Sequence, residues 1–375
     1  MIKNKYINKT NQDKIFFNII KNIFFVSLIL IFIFFIFRSP DIIYKGVSEG
    51  FNICINIIVP SLFPFMVICN FICLSPIVNL ISRFLSPITK YIFRLPSNVG
   101  CLIFMSFIGG YPMGAKLISE FLSQKQISRE TANRLLCFCV NAGPAFVITA
   151  IGYMIYNNKK TGVYLLISHI LGSIIIGFIL GCFNNKNSNK NKYNKIISLS
   201  YSQAFVKSVV DSIYSIINIS SFVIIFSVII LVIKNIFRFN NIINILLSFL
   251  EITVGLNDIV KLDNSLSLLL ASFLISFSGI SIICQVFYFI KDHDLDKKKI
   301  FIFRIFHGLI SVIIIYFIIY FNQDIIYTNI ILDNNKIQVF NISPFISFVI
   351  FLLSLSFIIF SYSEIISLKR VFFRF

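Results

Sequence analysis

Long apolar runs, separated by short stretches rich in lysine and asparagine, organise this chain from end to end. A helix that crosses a hydrocarbon core needs about 20 mostly apolar residues. Uninterrupted runs of that kind predict spans over residues 15–37, 162–182, 212–234, 300–321 and 344–361. Four further apolar segments carry breaks. Residues 50–74 are broken at Pro60-Ser61-Leu62-Phe63-Pro64, and 99–123 at Gly109-Gly110-Tyr111-Pro112-Met113-Gly114. Residues 130–156 are broken at Asn141-Ala142-Gly143-Pro144, and 265–290 at Ser276-Phe277-Ser278-Gly279. Residues 81–94 mix Arg83, Lys90 and Arg94 with Phe, Leu and Ile around Pro87, which predicts an interfacial helix. Residues 184–198 form an Asn/Lys linker and the best boundary in the chain. The expected fold is all-α: a polytopic integral membrane protein of roughly eight membrane-embedded helical segments.

Composition agrees, with 57% of residues hydrophobic and 13% charged. The net charge of +18 raises nucleic acid as a partner, but the basic residues lie in loops and tails beside apolar spans. There they set topology and meet anionic headgroups, and no basic recognition helix or stacking platform is present. The eight cysteines sit mostly in apolar segments without a CxxC pair, as small buried hydrophobes. The run before Arg38-Ser39-Pro40-Asp41 lacks a small-residue cleavage site, so an uncleaved first span is expected.

The breaks carry the chemistry. Irregular backbone at membrane depth survives only inside protein or beside a water-filled cavity. Helices restarting near Met113, after Pro144 and after Gly279 would aim free N–H groups and positive dipole ends at the breaks. Several such ends facing one cavity make an anion site; the alternative is close helix crossing at glycines and kinks that shape the bundle.

The two halves flanking the linker resemble each other. Met105-Ser106-Phe107-Ile108-Gly109 matches Ile275-Ser276-Phe277-Ser278-Gly279 at an offset of 170, which also lays Arg134 on Arg304. Internal repeats with helices broken near mid-membrane are the pattern of secondary transporters. If 99–123 is re-entrant the repeats are inverted, with the linker lysines inside; Lys369, Arg370 and Arg374 then fall outside, against the positive-inside rule.

Pro60-Ser61-Leu62-Phe63-Pro64-Phe65, Gly109-Gly110-Tyr111-Pro112-Met113-Gly114-Ala115-Lys116, Arg134-Leu135-Leu136 with Cys139-Val140-Asn141-Ala142-Gly143-Pro144, and Glu251-Ile252-Thr253-Val254-Gly255-Leu256 occur in order. Together they resemble the sporulation integral membrane protein YlbJ (SpoVV) family, built on paired nucleoside-recognition (Gate) domains. The resemblance covers roughly 45–320. It implies an N-terminal tail and first span (1–44), a first Gate-like repeat (45–182), a linker (183–204), a second repeat (205–321), and a loop, last span and basic tail (322–375). It further implies a sporulation transporter in the mother-cell-derived, outer forespore membrane. Its substrate would be dipicolinate or a similar small organic anion, and its partners the bilayer and other sporulation membrane proteins. A nucleoside or small-metabolite carrier, and a non-transporting scaffold for spore-envelope assembly, are the alternatives.

Candidate substrate-binding residues are Gly109, Gly110, Tyr111, Gly114, Lys116, Arg134, Asn141, Gly143, Ser278, Gly279, Gln285 and Arg304. Lys116 can counter a carboxylate or snorkel to the interface. Arg134 and Arg304 can fork onto a carboxylate, or anchor the interface, with Glu130 within reach of Arg134. Tyr111 can stack on an aromatic ring or pack; Asn141 and Gln285 can bind substrate or cap broken backbone. Glu251 and Asp258, flanking Gly255, read as a solvated loop before a proton-coupling site. His169 and His307 read as hydrogen-bonded core residues before proton relays. No enzyme signature is present: Gly110-x-x-x-Gly114-x-Lys116 lacks the phosphate-loop spacing, and Asp292-His293-Asp294 with Asp296 reads as a solvated connector. No catalytic residues, metal site or cofactor is expected.

Overall fold

The computed structural model describes residues 19–321, except 20, 24, 28, 184–195, 197 and 238–240. The expected span over 344–361, the basic tail and most of the linker lie outside the described residues. Every described regular element is helical. Among the described residues, six helices are long and apolar enough to cross a membrane: α1 (Lys21–Arg38), α2 (Pro40–Leu74), α8 (Lys159–Cys182), α9 (Tyr201–Phe237), Ser265–Phe289 and α14 (Lys297–Phe321). Large apolar side chains such as Phe178, Ile213, Phe306 and Tyr316 cover their outer faces, as lipid contact requires. The protein is therefore a multi-pass membrane protein.

Shorter helices fill the bundle. They are α3 (Ile77–Phe84), α4 (Gly100–Ile108), α5 (Met113–Ser123), α6 (Arg129–Leu136), the π-helical α7 (Phe146–Ile155), α10 (Asn241–Ser248) and α11 (Ile252–Ile259). The span Ser265–Phe289 is itself two helices, α12 (Asn264–Phe277) and α13 (Gly279–Phe289). They are parted by a left-handed kink at Ser278 (φ 81) and Gly279 (φ 67).

One expected break is absent. Helix α2 runs unbroken through Pro60 and Pro64. A π-helical stretch, Cys54–Ile58, precedes Pro60 and widens the turn where the proline ring and its missing N–H would disturb an α-helix. Ser61 Oγ also donates to the Ile57 carbonyl at 2.5 Å. Helix α2 packs against α9 through Gly46 and Gly50, whose Cα atoms lie against the Val228 and Ile224 backbone, so a side chain at either would push the helices apart.

At one end of the bundle, Asn98 Nδ2 donates to the Gln126 carbonyl (2.9 Å), so α4 and α5 form a hairpin whose outer ends meet. Arg129 pairs with Asp294 at 3.3 Å, the Asp296 N–H donates to Asn133 Oδ1, and Arg94 reaches the Cys182 carbonyl at that same end. At the other end Lys234 meets Asp258 at 2.5 Å, and Tyr156 Oη lies 2.7 Å from Ser267 Oγ. Helices α10 and α11 form a second hairpin at that end, packed so closely that Gly255 rests on the Ser248 backbone. The two hairpins thus have their outer ends at opposite ends of the bundle. Between them, α6 and α7 are joined by the irregular segment 137–143, and α12 and α13 by their kink.

Candidate functional site

The hairpin tips and the helix breaks meet in the middle of the bundle. Gly110 (φ 72) adopts a left-handed backbone and packs on Gly143, where any side chain would crowd the opposing chain. A Cβ on Gly114 would lie 1.7 Å from the Cys139 carbonyl oxygen, so only glycine lets the start of α5 rest on the first break. Gly109 packs on Met113 and Cys69. The second hairpin does the same for the second break by hydrogen bonding. Ile280 N–H donates to the Phe249 carbonyl (2.8 Å) and Ser281 N–H to the Leu250 carbonyl (2.9 Å). Two free donors of the α13 N-terminus are thus already used, so that helix end is closed by protein.

Polar side chains complete the first break. Arg304 on α14 donates through both terminal nitrogens, to the Cys137 carbonyl at 2.7 Å and to the Val140 carbonyl. Ser173 Oγ donates to the Phe138 carbonyl at 2.5 Å, and Asn141 Nδ2 to the same oxygen at 2.8 Å. Ala142 N–H donates to His169 Nε2 at 2.9 Å, which leaves His169 Nδ1 as the protonated nitrogen. Nδ1–H then donates to Ser276 Oγ (2.9 Å), which donates to Ser311 Oγ (2.7 Å). His307 stacks on His169 at 4.7 Å and donates from Nε2 to the His169 carbonyl at 2.8 Å. This lattice of bonds ties α8, α12 and α14 to the first break.

Two hollows adjoin this centre. A cavity of ≈ 30 Å³ is lined by Tyr111, Glu251, Thr253 and Gln285 with apolar residues including Ile219 and Ile282. Beside it a more open cleft of ≈ 390 Å³ is lined by Lys116, Asp211, Tyr214, Ser215, Asn218 and Tyr288. Helices α9 and α13 contribute to both: Asn218 faces the cleft and Ile219 the cavity, as do Tyr288 and Gln285. Lys116 Nζ donates to the Asp211 carbonyl (3.0 Å) and Ser215 Oγ (3.2 Å), and lies 4.0 Å from Glu120.

The structure therefore sorts the candidates. Tyr111 and Gln285 share the cavity, and Tyr111 Oη donates to the Ile275 carbonyl across the two halves. Lys116 lines the neighbouring cleft. Gly109, Gly110, Gly114, Asn141, Gly143, Ser278, Gly279 and Arg304 build the breaks and their supports. Arg134 lies apart at the bundle end, donating to the Phe93 (2.6 Å) and Arg94 (3.1 Å) carbonyls. Both arginines thus fork onto backbone oxygens.

The solvated-loop reading of Glu251 is corrected. Its side chain is 2% exposed, caps α11 by accepting the Val254 N–H at 2.7 Å, and faces the cavity. Asp258 does lie at the bundle end, with Lys234 and Lys261. His169 and His307 are buried and hydrogen-bonded, in line with the core reading. All eight cysteines are free, but Cys182 is exposed. Among the described residues no group of three or more His, Cys, Asp or Glu side chains could hold a metal ion.

Comparison with known proteins gives one distant homologue. The chain is 28% identical over 178 residues to the sporulation integral membrane protein YlbJ of Bacillus subtilis (strain 168). The match takes in 46% of this chain and 44% of the relative, so it spans less than half the length of either. No family model matches the chain, and no solved structure matches it.

Proposed function

We propose that this protein is a membrane transporter for a small organic anion, with dipicolinate the leading substrate, and that it works without enzymatic chemistry. One observation carries the reading: hairpin tips and interrupted helices converge on a small, mostly apolar pocket that Glu251 and Gln285 also line, beside a more open cleft lined by Lys116. Broken helices at mid-depth place backbone groups where a solute can reach them. The pocket is small, and the neighbouring cleft with Lys116 is its approach. The YlbJ relative supports a role in sporulation, and with it a place in the membrane around the forespore.

The same reading makes the two halves inverted repeats with re-entrant hairpins. His169 and His307 lie 138 residues apart. At that spacing Lys159, which opens α8, falls on Lys297, which opens α14; Ser173 falls on Ser311, and Asn141 on Gly279. The first hairpin tip, 110–112, falls on the second, 248–250. The offset of 170 instead pairs a hairpin with the through-going α12–α13, and Arg134 with an arginine in a different environment. The shorter spacing pairs like with like.

Uptake of labelled dipicolinate by liposomes containing the purified protein tests the transport reading. Flux above protein-free liposomes, reduced by excess unlabelled dipicolinate and indifferent to nucleosides, is the expected result. Competition by nucleosides alone would make it a nucleoside carrier. No flux of either would favour the scaffold.

A further inference from the structure

A larger cleft of ≈ 510 Å³ opens at the bundle end that carries Arg129 and Asp294, away from the central pocket. Its size falls among small-molecule sites, about 300–1,000 Å³. Helix α6 lines it with Glu130, Asn133 and Arg134, while Asp296 and Lys299 line it at the start of α14. Two cations and two carboxylates thus share one cleft, yet among the described residues none of the four is in an ion pair. Arg134 spends both terminal nitrogens on the Phe93 and Arg94 carbonyls, so no carboxylate offsets its charge. Asp296 Oδ1 accepts the Lys299 backbone N–H at 3.0 Å, and the Asp296 N–H takes Asn133 Oδ1, which leaves the Asn133 amide nitrogen as its donor end. Charges of both signs held apart in one cleft are complementary to a ligand that carries both.

The cleft also lies at headgroup depth. Arg134 holds the end of segment 81–94, whose Phe84 and Tyr91 are 81% and 82% exposed, as aromatic side chains are at a membrane interface. The remaining wall is apolar: Leu180 near the end of α8, and Phe183 just beyond it. From there α8 continues into the bilayer with Phe178, Ile175 and Leu171 exposed along one stripe.

We propose that this cleft binds the headgroup of phosphatidylethanolamine, with an acyl chain laid along the outer face of α8. Lys299 meets the phosphate, Arg134 adds positive field behind it, and Glu130 and Asp296 accept hydrogen bonds from the primary ammonium. Three features select that headgroup. An anionic lipid would set its phosphate among two carboxylates with nothing to neutralise them. A choline headgroup has no N–H to donate and is recognised by an aromatic cage, whereas this cleft has one phenylalanine and two carboxylates. A soluble zwitterion would leave the apolar wall and stripe unused. Bound there, the lipid joins α6 and α8 of the first half to α14 of the second. The site stands apart from the central pocket and does not rest on the transport reading.

The test is native mass spectrometry of the purified, delipidated full chain in detergent, titrated with dioleoyl phosphatidylethanolamine, phosphatidylcholine or phosphatidylglycerol. Phosphatidylethanolamine should be retained as a single saturable adduct, at a half-saturating concentration about 10-fold below the other two lipids. Lys299→Ala and Glu130→Gln should each raise that concentration by about 10-fold, although they remove charges of opposite sign. Lys261→Ala, at the far end of the bundle, should leave it unchanged. If Lys299→Ala fails to fold, Glu130→Gln decides, because that carboxylate is exposed on α6. Equal retention of the three lipids would overturn the site, as would unchanged or tighter binding in Glu130→Gln. Preference for phosphatidylglycerol, strengthened by Glu130→Gln, would make it an anion site and overturn the zwitterion. Displacement of the lipid by an equal concentration of free phosphoethanolamine would overturn the membrane source.

Discussion

The two interrupted spans solve the same problem with different means. In the first, irregular backbone runs from 137 to 143, and its carbonyls take a guanidinium, a serine and an asparagine side chain, while an imidazole accepts the Ala142 N–H. In the second, a left-handed kink at Ser278 and Gly279 frees few groups, and the hairpin tip and the Tyr111 hydroxyl suffice. The length of the break sets the strength of donor required. A long break in a low-dielectric interior leaves carbonyls that neutral side chains cannot all reach, and Arg304 supplies a forked, permanently charged donor. The short break needs no charge, and the cavity forms on that side, where Gln285 is left unsatisfied.

Substitutions can test this contrast, beginning with the greatest expected loss. Gly114→Val puts side-chain atoms where the Cys139 carbonyl sits and should destabilise by more than about 4 kcal/mol, seen as loss of a monodisperse peak in size-exclusion chromatography. Arg304→Leu strips the Cys137 and Val140 carbonyls and should cost about 3–5 kcal/mol, lowering the unfolding temperature sharply, with partial recovery in Arg304→Lys. If Arg304→Leu is tolerated, the link between break length and charged donor fails. Tyr111→Phe removes one hydroxyl from the short break and should cost about 1 kcal/mol by the same measurement. Lys116→Ala should change stability least, because Ser215 Oγ already donates to the Asp211 carbonyl at 2.7 Å. Its flux in liposomes should nevertheless fall by at least about 10-fold at normal abundance, if the cleft is the approach for an anion.

The breaks at 109–114, 141–144 and 276–279 were legible because glycine and proline interrupt apolar runs there. The same logic failed at Pro60 and Pro64, since a π-helical turn absorbs a proline without parting the helix. The partners of Arg134 and Arg304 were hidden for another reason. Their acceptors are backbone carbonyls, which every residue carries and no sequence pattern marks. Glu251 was misplaced because the charges nearby, Asp258 and Lys261, do lie at the bundle end, while its own position at a hairpin tip is a matter of tertiary depth.

Arg304 also has a meaning in time. It stands 164 residues after Val140, whose carbonyl it serves. At usual rates of synthesis the ribosome needs roughly 10–30 s to cover that distance. Throughout that interval the first broken span is already made, yet its charged donor has not left the ribosome. Its open carbonyls must meanwhile be held by water or by the insertion machinery, and the first half reaches its final form only when the last described helix arrives.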